Sequence, residues 1–315
     1  MRGIQLFVER PLQHLLWWCS TPANDRSEVK EFTQSSSLVA YCIGGGTLLI
    51  CPQLWRIILQ LDFQGRTEGY LRLIGLGMVI IGFLLIVAAR IDQQGPILGS
   101  IFARFVFVNA LLAMLAIRNT MRLSFGLLFM GLDLSLALIT LVIWCCETEG
   151  ASVSLFFREI FIPIFKCNGV TSGRAVAAVF IVGLFQFFFC IVFIIRPDVA
   201  QNILHLDNFR GHSVGFLAGV FFTLALHGWR HVTDASAVSH PFILAALCYR
   251  ILLNVPVFLI LGLVDQIERN LCIALLGFEL CLFIVILVFA INFFKKGVPT
   301  EEGDEGALLT REENE

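Results

Sequence analysis

"PQLWRIILQLD" (residues 52–62) and "PDVAQNILHLD" (residues 197–207) stand in one chain of 315 residues. Each opens on Pro and closes on Leu-x-Leu-Asp. The offset of 145 between Pro52 and Pro197 returns between Asp62 and Asp207. Outward from these stretches the same shift persists. Pro96 and Pro241 are 145 apart, and Gly82 and Gly228 are 146 apart. Arg104 and Arg250, Gly131 and Gly277, and Asp133 and Glu279 also lie 146 apart. Unrelated apolar segments would not align prolines, glycines and charges at one spacing, so the pattern predicts an internal duplication.

The units that repeat are apolar. Hydrophobic residues make up 57% of the chain and charged ones 15%, with a mean hydropathy of +0.84. Soluble domains carry about 25% charged residues, so a bilayer is the expected solvent. Eight apolar runs approach the length that spans a hydrocarbon core. They lie near residues 37–56, 69–89, 97–117, 123–144, 174–195, 213–231, 241–263 and 271–294. The predicted fold is therefore all-α and polytopic, with eight transmembrane helices as two parallel four-helix repeats, 37–144 and 174–294. An even number of spans per unit keeps both copies in one orientation, related by a pseudo-two-fold axis along the membrane normal.

The remaining segments are polar or amphipathic. Residues 1–19 carry "IQLFVERPLQHLLWWC" and predict an amphipathic helix lying in the interface. Residues 20–36 predict a polar linker. Residues 145–173 predict a cytosolic linker holding a second interfacial stretch, "SLFFREIFIPIFKC", broken at Pro163. Residues 295–315 predict a disordered acidic tail.

Lysine and arginine set the orientation. Thirteen, with Arg230 and Arg269 among them, are assigned to the side shared by both termini, and six, with Arg66 among them, to the other. Both termini are expected to be cytosolic. On this scheme "GWRH" (228–231) lies at the cytosolic exit of the sixth span, with Trp229 at the headgroups and Arg230 and His231 reaching water. His227, one turn deeper, has no such explanation.

Arg104 and Asp133 fall inside spans three and four, and Arg250 and Glu279 repeat them in spans seven and eight. A charge at the membrane centre costs about 2.5–3.5 kcal/mol on insertion scales, so mutual pairing is expected. Asn109 and Asn254 lie near each arginine and could complete the networks. Two uses are open: locking each four-helix unit, or lining a cavity that handles a proton, an anion or a polar headgroup. Their placement decides between the two.

Nothing in the sequence predicts catalysis, a metal or a cofactor. It has no nucleophile elbow, no zinc spacing among its ten cysteines and no phosphate-binding glycine loop. The net charge of −2 offers no field for nucleic acid. In the tail, "DEGALL" (Asp304, Leu308, Leu309) resembles the acidic dileucine signal that clathrin adaptors read on cytosolic tails. That resemblance implies a lysosomal or late endosomal address, with the plasma membrane and Golgi as alternatives.

"CPQLWRIILQLDFQG" (51–65) leading to "RLIGLGMVIIGFLL" (72–85) resembles the tumour protein p53-inducible protein 11 family, four-span membrane proteins. The resemblance covers about forty residues per half. It implies a four-helix membrane unit and no chemistry. The expected function is that of a non-enzymatic scaffold or regulatory partner in endolysosomal membranes. The alternative is a carrier or binding protein for a small polar solute or lipid, using a cavity between the repeats. Apart from the bilayer and the adaptor, no partner is implied.

Overall fold

The computed structural model describes residues 27–63, 65–90, 94–165, 174–206, 213–235 and 240–295. The interfacial helix expected at 1–19 and the tail with Asp304, Leu308 and Leu309 lie outside them. The described residues form helices, with no strand among them. They are α1 (Glu28–Ile50), α2 (Pro52–Leu59), α3 (Thr67–Ala89), α4 (Gly95–Ile117), α5 (Leu123–Glu147) and α6 (Val153–Phe165). Then come α7 (Arg174–Ile195), α8 (Pro197–Leu204), α9 (Ser213–Ala235), α10 and α11 (Arg269–Lys295). Helix α10 runs from His240–Tyr249 through a wide turn, Arg250–Asn254, into Val255–Leu263.

Among the described residues six helices are long and apolar enough to cross a membrane, and the bent pair α1–α2 makes a seventh if it counts as one span. This suits a multi-pass membrane protein. The sixth expected span, α9, does not meet the same standard. His227, Arg230, His231 and Asp234 dilute its second half. It is sheltered instead, packing along α7 on one side and α3 on another. Helix α3 is the other interior helix: 78% of its apolar window is buried, against 28% for α5. Leu127, Leu138 and Val142 on α5, Phe188 and Val192 on α7, and Ile284 and Val288 on α11 form an exposed apolar rim suited to lipid.

Local chemistry explains the ends. Helix α1 begins at Glu28, nine residues before the span expected at 37 and inside the expected polar linker. The Glu147 carboxylate accepts from the Ser27 hydroxyl (2.7 Å) and from the backbone N–H groups of Glu28 and Val29. It thereby satisfies donors that open every helix. Pro52 then starts α2 after a 99° bend, because a proline at the first helical position needs no N–H partner. Gln60 ends α2 in the left-handed conformation (φ 51°), and His205 ends α8 the same way (φ 48°). Beside α8, Arg196 Nη2 lies 2.7 Å from Asp198 and holds that carboxyl below its usual range.

Glycines set the helix spacing. A Cβ on Gly45 of α1 would lie 2.7 Å from the Gly75 carbonyl oxygen of α3. On Gly228 of α9 it would lie 2.7 Å from the Gly183 carbonyl oxygen of α7. Small residues permit such close backbone approach.

Three expectations need correction. The "GWRH" segment does not reach water: Trp229, Arg230 and His231 are 8%, 2% and 0% exposed. Pro96, Gly99 and Tyr249 cover it, and Asp234, one turn on, pairs with Arg230. The stretch at 145–173 is not broken at Pro163, since α6 continues to Phe165. A proline near the end of a helix removes a single N–H, and Ile160 anchors α6 among Ile97, Leu98, Trp144 and Trp229. Finally, Arg269 opens α11 just beyond Asp265, which pairs with Arg66 at 2.7 Å. Arg269 therefore belongs on the side of Arg66, and with the buried Arg230 no longer a loop residue the loop counts become eleven and seven (13 − 2 and 6 + 1).

Candidate functional site

Arg104 opens a wide π turn in α4, Arg104–Val108, and Arg250 opens one in α10, Arg250–Asn254. In α10 the cause is Pro256, which cannot donate to the preceding turn. In α4 the Asn109 amide donates to the freed carbonyls of Arg104 (2.8 Å) and Phe105 (3.3 Å). Asn109 thus serves the backbone and not the charged side chains. Such insertions occur often at functional sites.

The two intramembrane pairs are built differently. In the second half Arg250 Nη1 donates to Glu279 Oε2, and both side chains are 0% exposed. Arg250 Nη2 also reaches Gln186 Oε1 (3.1 Å) and His231 Nε2 (3.3 Å). His231 Nδ1 lies 2.6 Å from the His227 carbonyl oxygen and must donate, which leaves Nε2 as an acceptor for Arg250 and for the Tyr249 hydroxyl (3.2 Å). The guanidinium carbon sits 5.0 Å from the centre of the Tyr249 ring. This network is sealed inside protein.

In the first half the pair is loose. Arg104 Nε lies 3.9 Å from Asp133 Oδ1, beyond hydrogen-bond reach. Asp133 accepts from the Tyr41 hydroxyl instead. The Arg104 side chain stacks 5.1 Å from the Tyr41 ring centre, and its Nη2 is buried with no hydrogen-bond partner. Tyr41 is the counterpart of Gln186, 145 residues on. One residue takes the carboxylate, and the other takes the guanidinium.

Beside Arg104 lies a cavity of about 90 Å³. Helices α1, α3, α4 and α5 line it on one side and α9 on the other, so it sits between the halves. Arg104, Asp133, Tyr41 and Arg230 are its polar residues of note, and aliphatic and aromatic side chains dominate the rest. It follows α4 from Ser100 to Leu115, about 22 Å at 1.5 Å per residue, and is therefore slender.

At the level of His227 and Asn254 the corresponding space in the second half is nearly closed, with about 10 Å³ left among Gly77, Thr223, His227, Asn254 and Phe258. A separate cavity of about 130 Å³ in that half, lined by Phe193, Leu224, Leu271 and Leu275 among others, carries no charged side chain. A shift of 146 maps Ile81, Val108 and Leu112 of the open cavity onto His227, Asn254 and Phe258. This gives His227 a place: it fills what Ile81 leaves open. Its Nε2 donates to the Gly77 carbonyl (3.0 Å), while its Nδ1 and the Asn254 amide nitrogen have no protein partner. The residual space has room for about one water between them.

The four charges singled out from the sequence thus meet as two couples, Arg104 with Asp133 and Arg250 with Glu279. Neither asparagine joins an ion pair. Tyr41, Gln186, His231 and Tyr249 were not anticipated, although the 145-residue offset of Tyr41 and Gln186 was visible. A third buried pair, Arg230 with Asp234 (2.8 Å), closes one end of α9. Among the described residues no cluster of three or more metal-ligating side chains forms. No protein-family model, curated protein or solved structure matches the chain.

Proposed function

We propose that this protein is a non-enzymatic, multi-pass binding protein or carrier, whose site is the cavity beside Arg104 between two four-helix repeats. The observation that carries this reading is the Arg104 guanidinium. It is 4% exposed, one nitrogen lacks a partner, and it lines an apolar cavity. A buried donor left unmatched costs free energy, and a bound ligand would supply the match. The sealed Arg250–Glu279 couple serves the other use of such charges, as a lock on its half.

The eight-span, two-repeat architecture belongs to the same proposal. Helix bounds recur at the sequence shift: Thr67–Ala89 against Ser213–Ala235, and Pro52–Leu59 against Pro197–Leu204. Contacts between halves are reciprocal. Gly69 abuts Gln266 and Gly215 abuts Thr120, each 146 from its counterpart. Gly77 meets Thr223, its own equivalent. The eleven-to-seven distribution of basic residues in the loops supports cytosolic termini.

A neutral long-chain alcohol carrying a photoreactive diazirine tests the cavity. It should label residues of α4 and α5 that line it in the full-length protein. Leu112→Phe, which copies Phe258 of the closed counterpart, should cut labelling about tenfold. Labelling confined to the exposed rim, unchanged by Leu112→Phe, overturns the reading.

An endolysosomal address is proposed from "DEGALL". Leu308→Ala with Leu309→Ala should move the protein to the plasma membrane, as read by surface biotinylation. An unchanged surface fraction rejects the address.

A further inference from the structure

We infer that the ligand of this cavity is a single-chain amphiphile with an anionic oxygen head, a carboxylate or a phosphate monoester, held by Arg104 with its chain directed toward Met121 and Phe125. The inference rests on the binding reading above and adds the chemistry and direction of the occupant.

The cavity is polar at one level and apolar beyond it. Arg104, Asp133 and Tyr41 mark the polar level. Past them, Val108, Leu111, Leu115, Met121, Phe125 and Phe129 line a stretch without a titratable group. From Arg104 to Leu115 the helix rises about 16 Å, so this stretch is long for its small volume. An alkyl chain fits that shape, whereas a hydrated ion or a compact polar solute would leave the apolar stretch unfilled.

The head is specified by what Arg104 lacks. Asp133 is engaged by Tyr41 and stands 3.9 Å from the nearest guanidinium nitrogen. The Nη2 donor therefore remains available to another acceptor. A guanidinium matches carboxylate and phosphate oxygens in bidentate geometry. An ammonium head would meet two cations, Arg104 and Arg230, against the single carboxylate of Asp133 on the cavity wall. A purely hydrocarbon occupant would leave the Nη2 donor unmatched. The second half serves as an internal control. There both Arg250 Nη atoms are engaged, by Glu279, Gln186 and His231, with Nε alone unpartnered, and Asn254 and Phe258 narrow the space at that level. The apolar cavity of that half, lined by Leu224, Leu271 and Leu275 among others, has no charged side chain to hold a head. One anionic ligand per chain is expected, not two.

The experiment uses the purified full-length protein in nanodiscs and four diazirine probes of equal chain length: a fatty acid, an alkyl phosphate, an alcohol and an alkylamine. The acid or the phosphate should label the stretch from Val108 to Phe129 at least tenfold more than the alcohol, saturating at one per chain. The amine should label least. The better of the two anionic probes identifies the head, and either upholds the inference. Arg104→Gln should reduce the preference for anionic heads to about unity while alcohol labelling persists. The comparison of heads in the unmodified protein needs no variant, so poor folding of Arg104→Gln leaves the test intact. Equal labelling by acid and alcohol overturns the choice of head and leaves the cavity reading standing. Absence of cavity labelling by all four probes overturns both.

Discussion

Glu279→Gln lowers the stability of the folded protein by about 3–5 kcal/mol, and pairing it with Arg250→Met restores most of the loss. The carboxylate and the guanidinium are both 0% exposed, so removing one leaves the other charge in a site without solvent. An uncompensated buried charge is far costlier than the absence of the pair, because replacing both partners removes the desolvation penalty as well. Gln186 and His231 soften the effect by holding one Arg250 nitrogen, but neither supplies a negative charge. Asp133→Asn should cost clearly less. Arg104 stands 3.9 Å from Asp133, and Tyr41 can still bond the amide oxygen. Thermal unfolding of the detergent-solubilised variants, followed by loss of the monodisperse fraction, measures both. Equal losses for Glu279→Gln and Asp133→Asn would contradict the distinction between a sealed couple and a loose one.

Gly69→Ala and Gly215→Ala should each destabilise the protein by about 1–3 kcal/mol, the usual cost of forcing atoms into a packed interior. A methyl at Gly69 would lie 1.9 Å from the Gln266 carbonyl oxygen, and one at Gly215 would lie 2.1 Å from that of Thr120. Both obstacles are backbone atoms, so a helix or its neighbouring loop must move. Gly131 and Gly277 form the control. They share the same 146-residue spacing, yet a methyl on either meets nothing within 4 Å. Substitution there should leave stability unchanged or raise it by up to about 1 kcal/mol, since alanine suits a helix interior better than glycine. A tolerant Gly69 beside an intolerant Gly215 would show that the halves do not contact each other reciprocally.

Much of the helical plan was legible because it rests on local rules. Apolar runs marked where long helices lie, and Pro52 and Pro197 marked where α2 and α8 start. The intramembrane charges stood out because burial makes them expensive, and each has an opposite charge on the next helix. What stayed hidden depends on neighbours distant in sequence. A linear reading puts Arg230 and His231 at water because an apolar run ends there. In three dimensions Pro96, Gly99 and Tyr249 close over them. Asn109 was misassigned because the π turn of α4, unlike the one before Pro256, has no signature in the sequence. The difference between the couples was hidden too. It turns on Tyr41 and Gln186, which lie 92 and 93 residues before Asp133 and Glu279.

The polar half of α9 bears on how the chain enters the bilayer. His227, Arg230, His231 and Asp234 are buried by helices on both sides of α9 in sequence and from both halves. A segment of this kind is poorly accepted by lipid when it leaves the translocon alone. On the proposed eight-span arrangement, residues 213–235 would be retained near the insertion machinery, or shielded by α3 and α7, until α10 has been synthesised. Biogenesis of the second half would then be a concerted event, in which α10 completes the insertion of a helix made before it.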